Sequence, residues 1–477
     1  MQDSRHQLDK NNALLYILLT SPLVLWALCV LHPTFDDWSY VTSPYQGEVF
    51  VPERMFIFFH KWRPIDALYG SFLGLYPKMF PWLNHFLVLA AHIVNTILIW
   101  KLAVRLSFSK TAINMALIFF YISPAVIGTL YGIDSMNQAF SQLWGLLGLW
   151  IYINNNGAKK YILWFITLVL ATLTKENGIM WAVITPFFCY GLQRSEKQEL
   201  RKSMFLGMMF IVLYLAVRLC IPTAIADADS DYFSLDILKR IKYFAAFLCY
   251  PWLAIDYVSV LYVPERNLLL IGITALLSLP LLWQLFVVKY QLIKERRYIT
   301  IVICALLAAL PHLLTAFSVM HTYAAHPFWA LLLALIISSF DNKKPVIIAF
   351  MCYCIAAVIV DYHHWTMSYQ SGMLGKQLTL QAIEKTQKAA KKVFLIEINR
   401  HQPKYSSFCV TPIDAFAWGF PVKYYTDYQW PEVIEDKELD MEETNRTEAL
   451  ADSAIHAGYE VVWLLDFDHI DIIRDNR

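Results

Sequence analysis

Charged residues are scarce in this chain. Asp, Glu, Lys and Arg make up 16% of its 477 residues, against roughly 25% in ordinary globular proteins, while hydrophobic residues reach 58%. A soluble single-domain protein is therefore not expected. An excess of either sign is also missing. The 39 Lys and Arg against 38 Asp and Glu leave a net charge of +1, so no polyanion is held by bulk charge and no nucleic-acid partner is expected. There is no Cys-x-x-Cys pair, and six of the eight cysteines (Cys29, Cys189, Cys220, Cys304, Cys352, Cys354) lie inside apolar runs. Neither a disulfide framework nor a zinc site is indicated. Glycine-rich phosphate loops, Walker and Rossmann fingerprints, internal repeats and low-complexity tracts are all absent. Aromatic residues, by contrast, are abundant: 16 Trp, 27 Tyr and 30 Phe, a load that argues against disorder and suits membrane interfaces.

A helix crossing about 30 Å of hydrocarbon needs roughly 20 mostly apolar residues. Eleven stretches are candidates: about 13–31, 83–103, 111–130, 137–153, 161–174, 178–192, 203–221, 268–288, 299–320, 327–340 and 345–361. Several are short, so one or two re-entrant segments remain open. Short loops rich in Lys and Arg stay on the cytoplasmic side. Lys101, Arg105 and Lys110 mark one such loop, and Lys159 with Lys160 another. Arg194, Lys197, Arg201 and Lys202 mark a third, Lys289, Lys294, Arg296 and Arg297 a fourth, and Lys343 with Lys344 a fifth. With eleven spans all five fall on the side of the N-terminus, which is then cytoplasmic, and the C-terminus extracytoplasmic. Arg5 and Lys10 precede the first apolar stretch and no small-residue cleavage site follows it, the pattern of a signal anchor.

Three long segments then lie outside: 32–82, 222–267 and everything after 361. Within the second, 235–257 has amphipathic character, with Lys239, Arg240 and Lys242 on one part, and is expected along the interface. In the third, a helix from Ser368 to about Lys392 and strand-like runs at 393–398 and 459–465 predict a small α/β domain over 368–477.

The sharpest local signal is Phe35-Asp36-Asp37-Trp38, just past the first span. Two adjacent carboxylates at the edge of hydrocarbon oppose each other's ionisation, and one with a raised pKa can serve as a general base. The competing reading is that both cap a following helix while Trp38 anchors the interface. His60-Lys61-Trp62-Arg63-Pro64-Ile65 places two cations beside aromatics. Arg63 offers a fork and Lys61 a point charge for a phosphate, or both snorkel to headgroups. His85, His92 and Asn95 form one helical stripe, facing either a wet cavity or an interhelical hydrogen-bond network. Thr174-Lys175-Glu176-Asn177-Gly178 is a charged outer corner, where Glu176 holds substrate hydroxyls or a cation, or only pairs with Lys175.

The order Asp-Asp after the first span, Arg-Pro before the second, His-x6-His-x2-Asn within it, Lys-Glu-x-Gly-Ile, and Pro-x-Leu-x2-Asp-Tyr ending at Asp256 and Tyr257 resembles the membrane portion of the transmembrane and TPR-repeat O-mannosyltransferases. These belong to the GT-C superfamily, together with the protein O-mannosyltransferases and aminoarabinose transferases. The resemblance spans about residues 13–340. It implies a polytopic α-helical membrane protein of GT-C type, with the catalytic domain over 1–361, and an inverting glycosyltransferase whose active site lies in the first outer loop. The implied partners are a polyprenyl-phosphate-linked sugar, an acceptor protein or envelope glycan, and membrane lipid.

By position, the resemblance makes Asp36 the base for the acceptor hydroxyl, Asp37 its acidic partner, and Glu176 part of a second acidic site. Arg63, with Lys61, would face the lipid phosphate. Trp38, His92, Lys175 and Asp256 complete the candidate substrate contacts. No cofactor is certain, and a divalent metal, if required, would sit on Asp36 and Asp37. Where the family shows an acidic-Arg-x2-Tyr-x-Pro pattern, this chain has His321-Thr322-Tyr323-Ala324-Ala325-His326-Pro327, so that His321 or His326 would stand in for the arginine. TPR repeats are absent. The tail is expected to select the acceptor without doing chemistry. The expected location is a bacterial inner membrane, or alternatively the endoplasmic reticulum. The competing functions are a lipid-linked-sugar transporter or flippase and an envelope-glycan polymerase or ligase.

Overall fold

The computed structural model describes residues 12–38, 45–46, 49–50, 63–66, 68–69, 82–192, 195–220, 236–256, 260, 267–286, 294–314, 318–399, 411–427 and 429–477. The chain is a polytopic helical membrane protein. Among the described residues six helices are long and apolar enough to cross a membrane, or seven if one bent pair counts as a span.

In chain order the principal helices are α1 (Asn12–Cys29), α2 (Trp82–Arg105), α3 (Lys110–Ile122), α4 (Met136–Asn154), α5 (Gly157–Thr174) and α6 (Trp181–Gly191). They continue with α7 (Lys197–Leu219), α8 (Ile237–Cys249), α9 (Leu268–Phe286), α10 (Arg296–Ala309), α11 (His326–Ser338) and α12 (Lys344–Thr386). The spans are apolar on all sides, and their positions in the bundle follow from what each face touches. Leu15, Leu19, Leu23 and Trp26 of α1, Phe205, Val212 and Leu213 of α7, and Leu269, Leu276 and Trp283 of α9 are exposed, an apolar surface suited to lipid. At the centre, α11 is buried from His326 to Ile337. Its 13 residues rise only about 20 Å, too short for the hydrocarbon core by itself.

The expected span at 111–130 is broken. The chain bends by 46° between Lys110–Ile122 and Pro124–Leu130, because Pro124 supplies no amide to continue the helix. Ser123 caps the break by accepting from Ala125 N–H at 3.2 Å. Tyr353 of α12 donates within reach of both Ser123 Oγ (3.1 Å) and the Pro251 carbonyl (2.7 Å).

The basic loops meet one another at one end of the bundle. Lys343 donates to Ser109 Oγ at 2.9 Å, Arg296 to the Tyr190 carbonyl at 2.6 Å, and Lys160 pairs with Glu199. The amine of Lys202 lies 4.6 Å from the Tyr161 ring centroid.

The helix expected to begin at Ser368 is not separate. It continues the span before it, and α12 runs 43 residues without a break. Of the polar residues at the expected boundary, His363 and His364 lie 3.3 and 3.0 Å from the Asp256 carboxylate.

Beyond α12 lies a four-stranded sheet in the order β2–β1–β3–β4. It comprises β1 (Lys392–Asn399), α13 (Pro412–Phe416), α14 (Phe420–Tyr425), β2 (Val433–Asp440), α15 (Thr447–His456), β3 (Val461–Asp466) and β4 (His469–Asp475). The first three neighbours are parallel, with Leu395 opposite Asp436 and Trp463. Strand β4 pairs antiparallel with β3. Leu378 and Ala382 of α12 join Val393, Leu395 and Trp463 in one buried cluster, and Trp463 Nε1 donates to Thr386 Oγ1 at 3.0 Å.

Close helix contact is tested at Gly207, where an added Cβ would lie 2.3 Å from the Ala182 carbonyl oxygen. Gly207→Leu should destabilise the α6–α7 pair by about 1–3 kcal/mol, read as a lowered thermal midpoint in detergent, whereas Gly272→Leu, where no atom lies within 4 Å, should leave it unchanged.

Candidate functional site

Opposite the basic loops, the ends of several helices bring charged side chains together. The turn after α1 carries Asp36 and Asp37, and the geometry separates them. Asp36 is exposed. Asp37 is buried, and three amides point at its carboxylate: Ile133 N–H at 2.6 Å and Asp134 N–H at 2.9 Å on Oδ1, Thr34 N–H at 3.4 Å on Oδ2. Burial, and after it the Asp134 carboxylate, push the Asp37 carboxyl up, while the three amides pull the other way. Asp37 therefore ties the turn to the loop before α4. Among the described residues no three His, Cys, Asp or Glu side chains are grouped for a metal.

Two carboxylates that sequence reasoning missed join Asp36. Asp134 lies in the loop before α4, where burial, then Asp36, raise its carboxyl to about 6. Asp66, fully buried, accepts from Asn137 Nδ2 at 3.2 Å, and the same amide reaches the Asp134 carbonyl at 2.9 Å. Asp134 carries a weaker form of the signal at Asp36, a carboxylate just past an apolar run but single where Asp36 is paired with Asp37, and Asp66, which follows His60-Lys61-Trp62-Arg63-Pro64-Ile65, carries none.

The corner between α5 and α6 supplies the cationic half. Glu176 Oε1 accepts from Arg63 Nε at 2.8 Å and lies 3.4 Å from Arg218 Nη2, at the end of α7. Burial opposes ionisation of Glu176, but Arg63, then Lys175, prevail and hold its carboxyl at about 2. Lys175 is buried. Burial, then Arg63, lower its amine to about 8, against the carboxylates of Glu176, Asp66 and Asp134. Lys175 thus stands at the junction of the two halves.

Two imidazoles lie beside this junction. His312, which sequence reasoning missed, stacks on His321 with ring centroids 4.2 Å apart and approaches Asn177 Nδ2 at 3.4 Å. Burial, then His312, Lys175 and Arg63, depress His321. Asn177 also donates to Gln138 at 3.0 Å and, with Ser141 and Gln142, lines a small pocket next to the corner.

Other expected site residues lie elsewhere. His326 is buried against Phe119 and Phe120, with centroids 5.1 Å from each, so of the two histidines replacing the arginine only His321 joins the cluster. His92 Nδ1 lies 2.8 Å from Tyr323 OH, and Asn95 donates to the same hydroxyl at 3.1 Å; His92 belongs to an interhelical network and not to the charged end. Asp256 anchors the segment after α8 to α12, through the histidine pair. Trp38 is buried within protein, its Nε1 donating to the Pro33 carbonyl at 2.8 Å. Lys61 lies outside the described residues.

No family model matches the chain, and no match is found among curated proteins or solved structures.

The raised Asp134 carboxyl has a consequence for pH. A carboxyl with folded pKa above its ordinary value penalises folding as pH rises through the interval between the two, here from 3.8 to about 6. In Asp134→Asn this penalty is gone, while the Ser135 hydroxyl, which donates to Asp134 Oδ1 at 3.0 Å, keeps its acceptor. The thermal midpoint of the variant relative to wild type should therefore climb across that interval and level off above it.

Proposed function

We propose that the chain is an inverting GT-C-type glycosyltransferase, moving a sugar from a polyprenyl-phosphate donor to a hydroxyl of a protein or envelope glycan on the outer face of a membrane. The observation that carries this reading is the two-part charge pattern at one end of a lipid-facing bundle. The exposed carboxylate Asp36 acts on Asp134, Lys175 lies within electrostatic reach of Asp66 and Asp134 as well as of Arg63 and Glu176, and Arg63 and Arg218 approach Glu176. The reaction needs these two parts. The acceptor hydroxyl gives its proton to Asp36 as its oxygen bonds to the anomeric carbon, and the bond to phosphate oxygen breaks on the opposite face. The negative charge gathering on the leaving phosphate then meets Lys175 and the guanidinium groups. Buried cations act strongly there because little water screens them.

The proposal includes eleven crossings, with the N-terminus in the cytoplasm and the sheet module outside. In that arrangement Asp36, Arg63, Asp134, Glu176, Arg218 and His321 all belong to outer ends, opposite the basic loops, which supports the reading. A carrier for lipid-linked sugars would hold its ionisable groups near the bilayer midplane, and carboxylates gathered at helix ends favour transfer.

Purified protein supplied with a short-chain polyprenyl-phosphate sugar and envelope acceptors tests the proposal, with products identified by mass spectrometry. Asp36→Asn keeps the shape but cannot take the proton, so transfer should fall about 10²–10⁴-fold. A variant within about twofold of wild type would remove Asp36 as the base. Arg63→Ala should weaken donor use more than acceptor use, because a charge-assisted bond to phosphate contributes roughly 1.5–3 kcal/mol. Unchanged donor dependence would leave Arg63 only as the partner of Glu176.

A further inference from the structure

Asp36 stands between two attachments. On its C-terminal side, Asp37 is bound by the amides of Ile133 and Asp134. On its N-terminal side, the Phe35 amide donates to the Asp414 carbonyl at 2.9 Å, and the Phe35 ring lies 5.2 Å from that of Trp418. Trp38 packs against Tyr424 and Tyr425 at 5.3 and 6.2 Å. The turn that presents Asp36 is thus gripped by α13, α14 and the residues joining them.

Three residues at this contact carry side chains on left-handed backbone: Phe35 (φ 51°), Ala417 (φ 48°) and Trp418 (φ 49°). Such conformations cost free energy for residues with a Cβ and persist where surrounding contacts impose them. Helix α12 supplies the frame. A Cβ on Gly372 would lie 2.6 Å from the His32 carbonyl oxygen, and one on Gly375 would lie 2.0 Å from that of Ala415. Three residues apart, these glycines share one helix face, so a single turn of α12 touches both the chain entering the Asp36 turn and the helix that grips it.

We infer that the segment from Asp414 to Tyr425 is a positioning element for Asp36, and that the C-terminal module is required for the proton-transfer step and not only for acceptor choice. The inference rests on the transfer reading above. The acceptor proton still moves to the Asp36 carboxylate as the new glycosidic bond forms and the bond to phosphate breaks. The module contributes by holding that carboxylate where the hydroxyl arrives, and a displacement of about 1 Å at such a group costs on the order of a hundredfold in rate.

The test uses the full chain in nanodiscs with a short-chain polyprenyl-phosphate sugar. Trp418→Ala removes the ring beside Phe35, while Trp418→Phe keeps an aromatic face. Trp418→Ala should lower kcat about tenfold or more with KM for the donor within about twofold of wild type, and Trp418→Phe should recover most of the loss. Hydrogen exchange in peptides covering residues 33–38 should accelerate in Trp418→Ala, with α2 and α11 as protected as in wild type. An unchanged kcat, or a loss that tracks increased exchange throughout the bundle, overturns the inference. If the wild-type chain transfers no sugar, the transfer reading fails separately. Exchange alone then decides: selective loss of protection at 33–38 upholds the grip on the Asp36 turn, and unaltered protection overturns it.

Discussion

The bond between Arg63 and Glu176 joins parts of the chain 113 residues apart and sets the arrangement of the charged end. A carboxylate and a guanidinium half-hidden at the end of an apolar bundle cannot rely on water, so each needs a partner within the protein. Arg218 approaches the same oxygen, which brings the end of α7 to the corner between α5 and α6. Lys175 is carried with Glu176 by sequence adjacency, and its amine then faces the Asp66 and Asp134 carboxylates. Removing either member of the Arg63–Glu176 pair would leave a charge to be neutralised elsewhere, and the shifts at Lys175 and His321 would change with it.

Polar side chains within apolar stretches have two ways to be satisfied, and this ambiguity decides what was legible beforehand. Asp36, Arg63, Lys175 and Glu176 stand out in the sequence because each is a charge, or one of a pair of charges, next to an apolar run. They do meet at one end. His92, His326, Trp38 and Asp256 carry the same surface signal, but their partners are Tyr323, an aromatic sandwich, a backbone carbonyl and a histidine pair. No spacing rule distinguishes a tertiary partner from a substrate. Asp134 and Arg218 escaped for the converse reason: each is a single charge near the end of an apolar run, where capping or snorkelling accounts for it equally well, while Asp66 sits three residues after Arg63 and His312 lies inside the apolar run 299–320.

The helical character of the chain was readable from apolar run length, since a segment in hydrocarbon must satisfy its own backbone. Continuity was harder to read. Asp361, His363 and His364 look like the end of a span, yet Asp256 takes up the two imidazoles and the helix passes through. Conversely, 111–130 reads as one apolar run and is bent at Pro124. In both places a contact or a missing amide, not hydropathy, determines where the helix stops.

The unbroken α12 also has a phase. At 3.6 residues per turn, each residue added to a helix rotates the chain beyond it by about 100° and lifts it by about 1.5 Å. Gly372 meets His32 and Gly375 meets Ala415 only because the stretch between the bundle and the sheet contains the right number of residues. A single insertion near Asp361 would turn the sheet away from the Asp36 turn with every other contact in the module intact. Seven residues, close to two whole turns, would restore its facing but raise it about 10 Å. The helix behaves as a keyed shaft, and its length is under constraint even where its side chains face only lipid.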